Sequence, residues 1–121
     1  MCRQNQLVDL LKALRAVTRG ITTHSIDYSD HYARSDPSVS RLNFLRYSDA
    51  EWRPFNSGKQ YVNRLRHSDY LRLFREAGFA IVEQSSVPGE PPAGVAEKVA
   101  TRFRRYEPAD LFALQGRIVA R

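Results

Sequence analysis

The stretch that most constrains this chain runs from Asn63 to Val82, where a helix start, a helix stop and a strand follow one another without interruption. Ser68 is placed to cap the first turn and Asp69 to favour its positive end. Leu71, Leu73, Phe74 and Ala77 then supply an apolar stripe at helical spacing. Gly78 offers the left-handed residue that ends such a helix, and Phe79 to Val82 reads as a short buried strand. Helix, turn, strand is the repeating grammar of an α/β domain.

Two more units fit that grammar. Leu7, Leu10, Leu11, Leu14 and Val17 predict a helix over residues 4–18, with Lys12, Arg15 and Arg19 toward the end where cations are favoured. Gly20 stops it, and the β-branched run Ile21 to Asp27 predicts a strand followed by the polar, aromatic segment Tyr28 to Tyr32. In an open α/β sheet the end at which that loop begins is where ligands sit. At the other terminus Leu114, Gly116, Ile118 and Ala120 alternate with Gln115, Arg117 and Arg121, so the chain is expected to finish in a strand.

Between these units the pattern is less regular. Asp36 and Pro37 are placed to open a short helix through Leu45, and Ser48-Asp49-Ala50-Glu51 is a capping box for another around Trp52, halted near Pro54. Asn56 to Lys59 reads as a turn. An ordered insertion of this length usually lines or covers a binding site. Further on, Val87 to Gly94 reads as an exposed loop. Val95, Val99 and Phe103 predict a helix, and Glu107 to Leu111 a brief helical turn.

A chain of 121 residues fits one domain, spanning 1–121. No apolar run approaches the roughly 20 residues needed to cross a bilayer, so no membrane partner is expected. Met1 to Gln6 leads into an amphipathic pattern rather than a secretory leader, and Cys2 is the single cysteine; a reducing, cytoplasmic location is therefore the expectation. The formal charge of +6 raises nucleic acid as a partner. Only three of the 19 basic residues are lysines (Lys12, Lys59 and Lys98), and the arginines are dispersed. The densest group, Arg102, Arg104 and Arg105, is flanked by Glu97 and Glu107. Dispersed arginines favour a solvated surface over a phosphate-tracking face, so nucleic acid is not the expected partner, and a small Arg-rich nucleic-acid-binding module stands as the alternative reading.

Particular words of the sequence point further. His24-Ser25-Ile26-Asp27-Tyr28-Ser29-Asp30-His31, Asn43-Phe44-Leu45-Arg46-Tyr47-Ser48 with Trp52, Asn63-Arg64-Leu65-Arg66-His67-Ser68-Asp69-Tyr70, and Glu76-Ala77-Gly78-Phe79 resemble the C-terminal half of class I S-adenosylmethionine-dependent methyltransferases. The resemblance covers residues 7–121. It implies an α/β fold built as part of a Rossmann-like sheet with flanking helices. Residues 21–27 would be the fifth strand, 79–85 the sixth, and 113–120 the seventh, which is antiparallel and lies between the other two. The Gly-rich loop and acidic residue that hold S-adenosylmethionine in that family belong to its N-terminal half. The six glycines here stand far apart, with no Gly-x-Gly-x-Gly, and Arg15 to Gly20 lacks the Lys-Pro-Gly-Gly-like turn of the family. The resemblance thus implies the substrate side of a methyltransferase, inactive by itself and without tight cofactor binding, from a truncated gene or a split enzyme. Its partners would be the missing N-terminal half, or a second copy, and a small-molecule substrate in the intact enzyme.

Methyl transfer is an in-line displacement in which positioning supplies most of the acceleration. The residues expected to contribute are Asp27, Asp30, Asn63 and Arg64 as substrate contacts and His31 as general base, since an unperturbed imidazole titrates near 6.5. Each has a structural alternative. Asp30 and His31 can cap a short helix, and Arg64 or Arg66 can pair with Asp27, Asp30 or Asp69. His24, within the strand, is expected to be packed, and Trp52, Tyr47 and Tyr61 are either core or pocket lining. No metal-ligand spacing links His24, His31 and His67 with Cys2, and no nucleophile motif is present.

Overall fold

The computed structural model describes residues 4–34, 36, 38–55, 63–90 and 94–121. Helix α1 (Gln4–Val17) leads through Gly20 into strand β1 (Thr22–Asp27). A 3-10 turn at His31–Arg34, a second at Asn43–Arg46 and the short helix α2 (Asp49–Trp52) fill the insertion. Helix α3 (His67–Glu76), strand β2 (Ile81–Pro88), helix α4 (Pro108–Leu111) and strand β3 (Ala113–Ala120) complete the chain. The fold is mixed α/β, with one three-stranded sheet in the order β1-β3-β2. Strand β3 runs antiparallel to both neighbours, so β1 and β2 are parallel to each other. That is the strand arrangement the sequence led us to expect for these three segments.

The period-2 pattern decides which face of the sheet is covered. Thr22, His24 and Ile26 stand opposite Ala120, Ile118 and Gly116, and Ile81, Gln84 and Ser86 flank the same three on the other side. Against this face pack α1 and α3. Leu11, Leu65, Leu73, Phe74, Ala77 and Phe79 join Ile118 and Ala120 in one apolar core. Burying each large side chain contributes about 1.5–3 kcal/mol, which accounts for two helices committing to one face. His24 lies edge-on to Phe74, with ring centroids 4.8 Å apart, and is packed as expected.

Two expectations for the organising stretch are corrected. Helix α3 begins two residues earlier, with Arg66 at its N-cap, and Asp69 accepts the Arg66 N–H at 2.9 Å. Ser68 is inside the first turn and donates both its N–H and its hydroxyl to Asp110. Gly78 does adopt positive φ, +99°. Strand β2, however, is not buried. Phe79 is buried before the strand begins, whereas Val82 is 48% exposed, because β2 is an edge strand.

A second core lies in the insertion. Leu42, Phe44, Leu45 and Trp52 pack against Val95, Val99, Phe103 and Leu111. The Ser48 capping box forms as expected, with Glu51 N–H on Ser48 Oγ at 3.2 Å and Ser48 N–H on Glu51 at 3.0 Å. The helix expected from Asp36 does not. Asp36 instead accepts the Ser38 N–H at 3.0 Å in a local turn, and helical geometry starts only at Asn43. The expected helix through Val95 and Phe103 is likewise two 3-10 turns, Ala96–Lys98 and Thr101–Phe103. Val99 and Ala100 are extended between them, and Ala100 N–H bonds Leu45 O at 2.8 Å. Tertiary pairing with the insertion overrides helical propensity there. Cys2, Pro37, the turn over Asn56 to Lys59, and Tyr61 lie outside the described residues.

Candidate functional site

At the C-terminal end of β1 the chain turns sharply, and side-chain oxygens make the turn. Asp27 accepts the Ser29 N–H at 2.9 Å and the Ser29 hydroxyl at 2.6 Å. Asp30 is 1% exposed; its Oδ1 accepts the Tyr32 N–H at 2.9 Å, and its own N–H reaches Arg41 O at 2.6 Å. These bonds place Asp27 and Asp30 on the wall of a cleft of about 110 Å³, together with Ser29, Ala33, Arg41 and Gln115. Two carboxylates there can accept hydrogen bonds from an N–H or O–H of a ligand. The Asp30 carboxylate also caps the 3-10 turn that His31 opens. The His31 side chain, expected as the base, lies outside the described residues.

Asn63 and Arg64 are placed elsewhere and are not among the cleft's described lining. Asn63 donates to the Tyr70 hydroxyl at 3.0 Å and accepts the Leu65 N–H at 3.1 Å. Arg64, at φ +55° and 3% exposed, sends its guanidinium into the second core. It donates to Phe44 O at 3.0 Å, Tyr47 O at 2.5 Å and Asp49 at 2.7 Å, with the Phe103 and Trp52 rings 5.0 and 5.5 Å from its carbon. Its ionic partner is therefore Asp49, which Arg102 also meets, and not one of the aspartates considered from the sequence.

Arg66, read from the sequence as a pairing partner for Asp27, Asp30 or Asp69, is the most enclosed charge in the molecule's described part, at 0% exposure. It donates to Tyr28 O at 2.8 Å, Leu111 O at 3.2 Å, and more weakly to Ala113 O and Arg64 O, both at 3.4 Å. Burial pushes its pKa down to about 10, opposed by Asp110, Tyr28 and Asp69. Beside it Tyr28 and His67 Nδ1 are 2.6 Å apart, and His67 Nε2 is 2.7 Å from Gln84 Oε1. Because Gln84 Oε1 only accepts, Nε2 carries the proton and Tyr28 donates to Nδ1. This relay crosses β3 at Gly116, where a Cβ would overlap the Tyr28 hydroxyl and lie 2.6 Å from His67 Nδ1. Burial raises the Tyr28 pKa, with Tyr70 adding to the rise, so Tyr28 stays a protonated donor. Arg66 and this relay hold the end of β1, and hence Asp27 and Asp30, against α3 and β3. Nothing in the words Arg-Leu-Arg-His distinguishes a buried guanidinium from an exposed one.

The face of the sheet away from α1 and α3 is polar. One row across it reads Ser25, Arg117, Ser85, and the next Asp27, Gln115, Val87. Together with Gly116 these residues line a shallow groove of about 460 Å³ that joins the cleft through Asp27 and Gln115. The joined surface offers acceptors at Asp27 and a cation at Arg117. Among the described residues no group of three histidine, cysteine or carboxylate side chains is arranged to hold a metal ion. No described helix is long and apolar enough to cross a membrane. No protein-family model, curated protein or solved structure matches this chain.

Proposed function

We propose that this chain is the acceptor-side part of a class I S-adenosylmethionine-dependent methyltransferase domain. The observation that carries the reading is the sheet: β3 is antiparallel between two mutually parallel strands, with α3 connecting those two. The resemblance described from the sequence implies the same order for its fifth, seventh and sixth strands. Two further features support it. Among the described residues β1 pairs on one side only, with β3, which leaves a border where further strands would join. The aspartates expected to contact the methyl acceptor, Asp27 and Asp30, line one cleft at the ligand end of β1.

In this reading Asp27 orients a donor group of a small-molecule acceptor and His31 takes its proton when the attacking atom carries one. Arg64 and Asn63 act at a distance, by holding the insertion and the start of α3 in place. The adenosyl and methionyl contacts belong to strands outside these three, so the chain by itself binds S-adenosylmethionine weakly and transfers no methyl group. A cytoplasmic location goes with this reading, through its soluble small-molecule chemistry. Sequencing the coding DNA immediately upstream tests it. A strand followed by a Gly-rich loop and then an acidic strand end is expected in that frame or a neighbouring one. An upstream region encoding an unrelated, complete domain would sink the proposal.

A further inference from the structure

The two borders of the sheet are built differently. Along β2 the pairing with β3 shifts register between Ile81 and Glu83 and again between Val87 and Pro88, and the strand carries a charge at Glu83 and a proline at its end. These are the devices by which edge strands avoid pairing with another chain. Strand β1 has no register shift and no proline. Its register with β3 is unbroken from Thr22 to Asp27, and it holds one charged residue, at its last position.

The ladder tells which backbone groups of β1 face outward. Tyr28 N–H bonds Leu114 O at 2.9 Å, in continuation of the β1–β3 register. Hydrogen-bonded pairs alternate along an antiparallel ladder, so Thr22, His24 and Ile26 turn their N–H and C=O groups toward β3. Thr23 and Ser25 turn theirs away from it. Helix α1 carries a second apolar stripe. Leu10, Ala13 and Val17 are spaced by three and four residues, about a quarter turn from the buried Leu11 and the half-buried Leu7 and Leu14. Leu10 is 56% exposed, Val17 75%, and Ile21, just before the strand, 64%.

From the self-complementarity of this border we infer that its occupant, for the chain on its own, is a second copy of the chain, paired antiparallel through β1 about a two-fold axis at His24. In that register Thr23 of one copy meets Ser25 of the other, and the outward N–H and C=O groups of each satisfy the other's. Thr22 stands opposite Ile26 on the helix side, and the two hydroxyl side chains of Thr23 and Ser25 meet on the groove side, a favourable cross-strand pair. Asp27 falls opposite Ile21, so no like charges face each other. A two-fold axis normal to the sheet keeps both α1 helices on one side of the joined sheet. The interface is isologous and closes at two, forming a six-stranded sheet.

This pairing rests on the border alone and not on the methyltransferase reading, which would place other strands there when they are present. Light scattering after size exclusion, across a concentration series, is the test. Tens of micromolar chain should give twice the 13.9 kDa mass of one copy. Ser25→Pro removes an outward donor from each copy without touching the β1–β3 ladder. It should weaken association about a hundredfold, as expected for two interface hydrogen bonds, with an unchanged circular dichroism spectrum. Should that variant fail to fold, Thr23→Pro removes the other outward donor and provides the same reading. A monomer at every concentration, a dimer that persists in both folded variants, or a monomer recovered in equal amounts with another polypeptide would each overturn the inference. A monomer would leave the methyltransferase proposal standing, whereas cofactor binding by the chain alone would sink that proposal and leave the pairing intact.

Discussion

Replacing Arg66 by methionine is the most informative single change to the scaffold, because it removes one fully buried group that ties the end of β1 to the chain just before and at the start of β3. The short bonds are those to Tyr28 O and Leu111 O, at 2.8 and 3.2 Å. The two contacts at 3.4 Å, to Arg64 O and Ala113 O, contribute little. Leaving two buried carbonyls unmet costs about 1–3 kcal/mol each. The guanidinium also stands 5.0 Å from the centre of the Phe44 ring and 5.7 Å from that of Tyr28, worth about 1 kcal/mol together. Against this, methionine does not carry the desolvation penalty of a buried charge, which returns some of the loss. The net expectation is a destabilisation of about 3–4 kcal/mol, a large share of the 5–15 kcal/mol typical of a whole domain. Arg66→Lys, with a charge but no planar fork, should fall between, at about 1–2 kcal/mol. Urea unfolding followed by far-ultraviolet circular dichroism measures both, with the denaturant slope unchanged. A loss below about 1 kcal/mol for the methionine variant would refute the view that Arg66 ties β1 to the end of α4.

Gly116→Ala should destabilise by about 2–3 kcal/mol, since a Cβ there would sit 2.6 Å from His67 Nδ1, while Gly20→Ala, with nothing within 4 Å, should not; thermal unfolding of the pair of variants compares them directly. Burial lowers the pKa of His24 from the ordinary imidazole value of 6.5. The unfolded chain therefore binds the proton more readily, and the stability due to neutral His24 is complete above about pH 6.5 and declines as the pH falls through that value. Urea midpoints across this window should drop on acidification, and the drop should be smaller in His24→Gln.

Where local chemistry and tertiary demand agree, the sequence was legible. Helix α1, the Ser48 capping box, Gly78 and the alternation of β3 all appear where their residues place them. The strand order came from resemblance, since alternation in β3 says which residues share a face but not which strands flank it. Misreadings arose where distant residues decide. Val95, Val99 and Phe103 are all buried, as their spacing suggested, yet Leu45 O draws Ala100 out of helical geometry. Phe79 to Val82 reads as a buried strand because hydropathy cannot distinguish a strand at the border from one in the middle. For the site, the two aspartates that cluster lie three residues apart on one turn, a local relation. Arg64 and Arg66 stand two residues apart but bind different segments, Arg64 the insertion and Arg66 the ends of β1 and α4, a relation set by carbonyls of Phe44, Tyr47, Tyr28 and Leu111.

The central claim is that these three strands complete a cofactor-holding sheet and do not hold the cofactor themselves. Calorimetric titration with S-adenosylmethionine, run on the chain alone and on the chain joined to the segment encoded upstream of it, tests that claim most directly. Binding heat should appear only for the joined protein. Micromolar binding by the chain alone, or none by a folded joined protein, would contradict it.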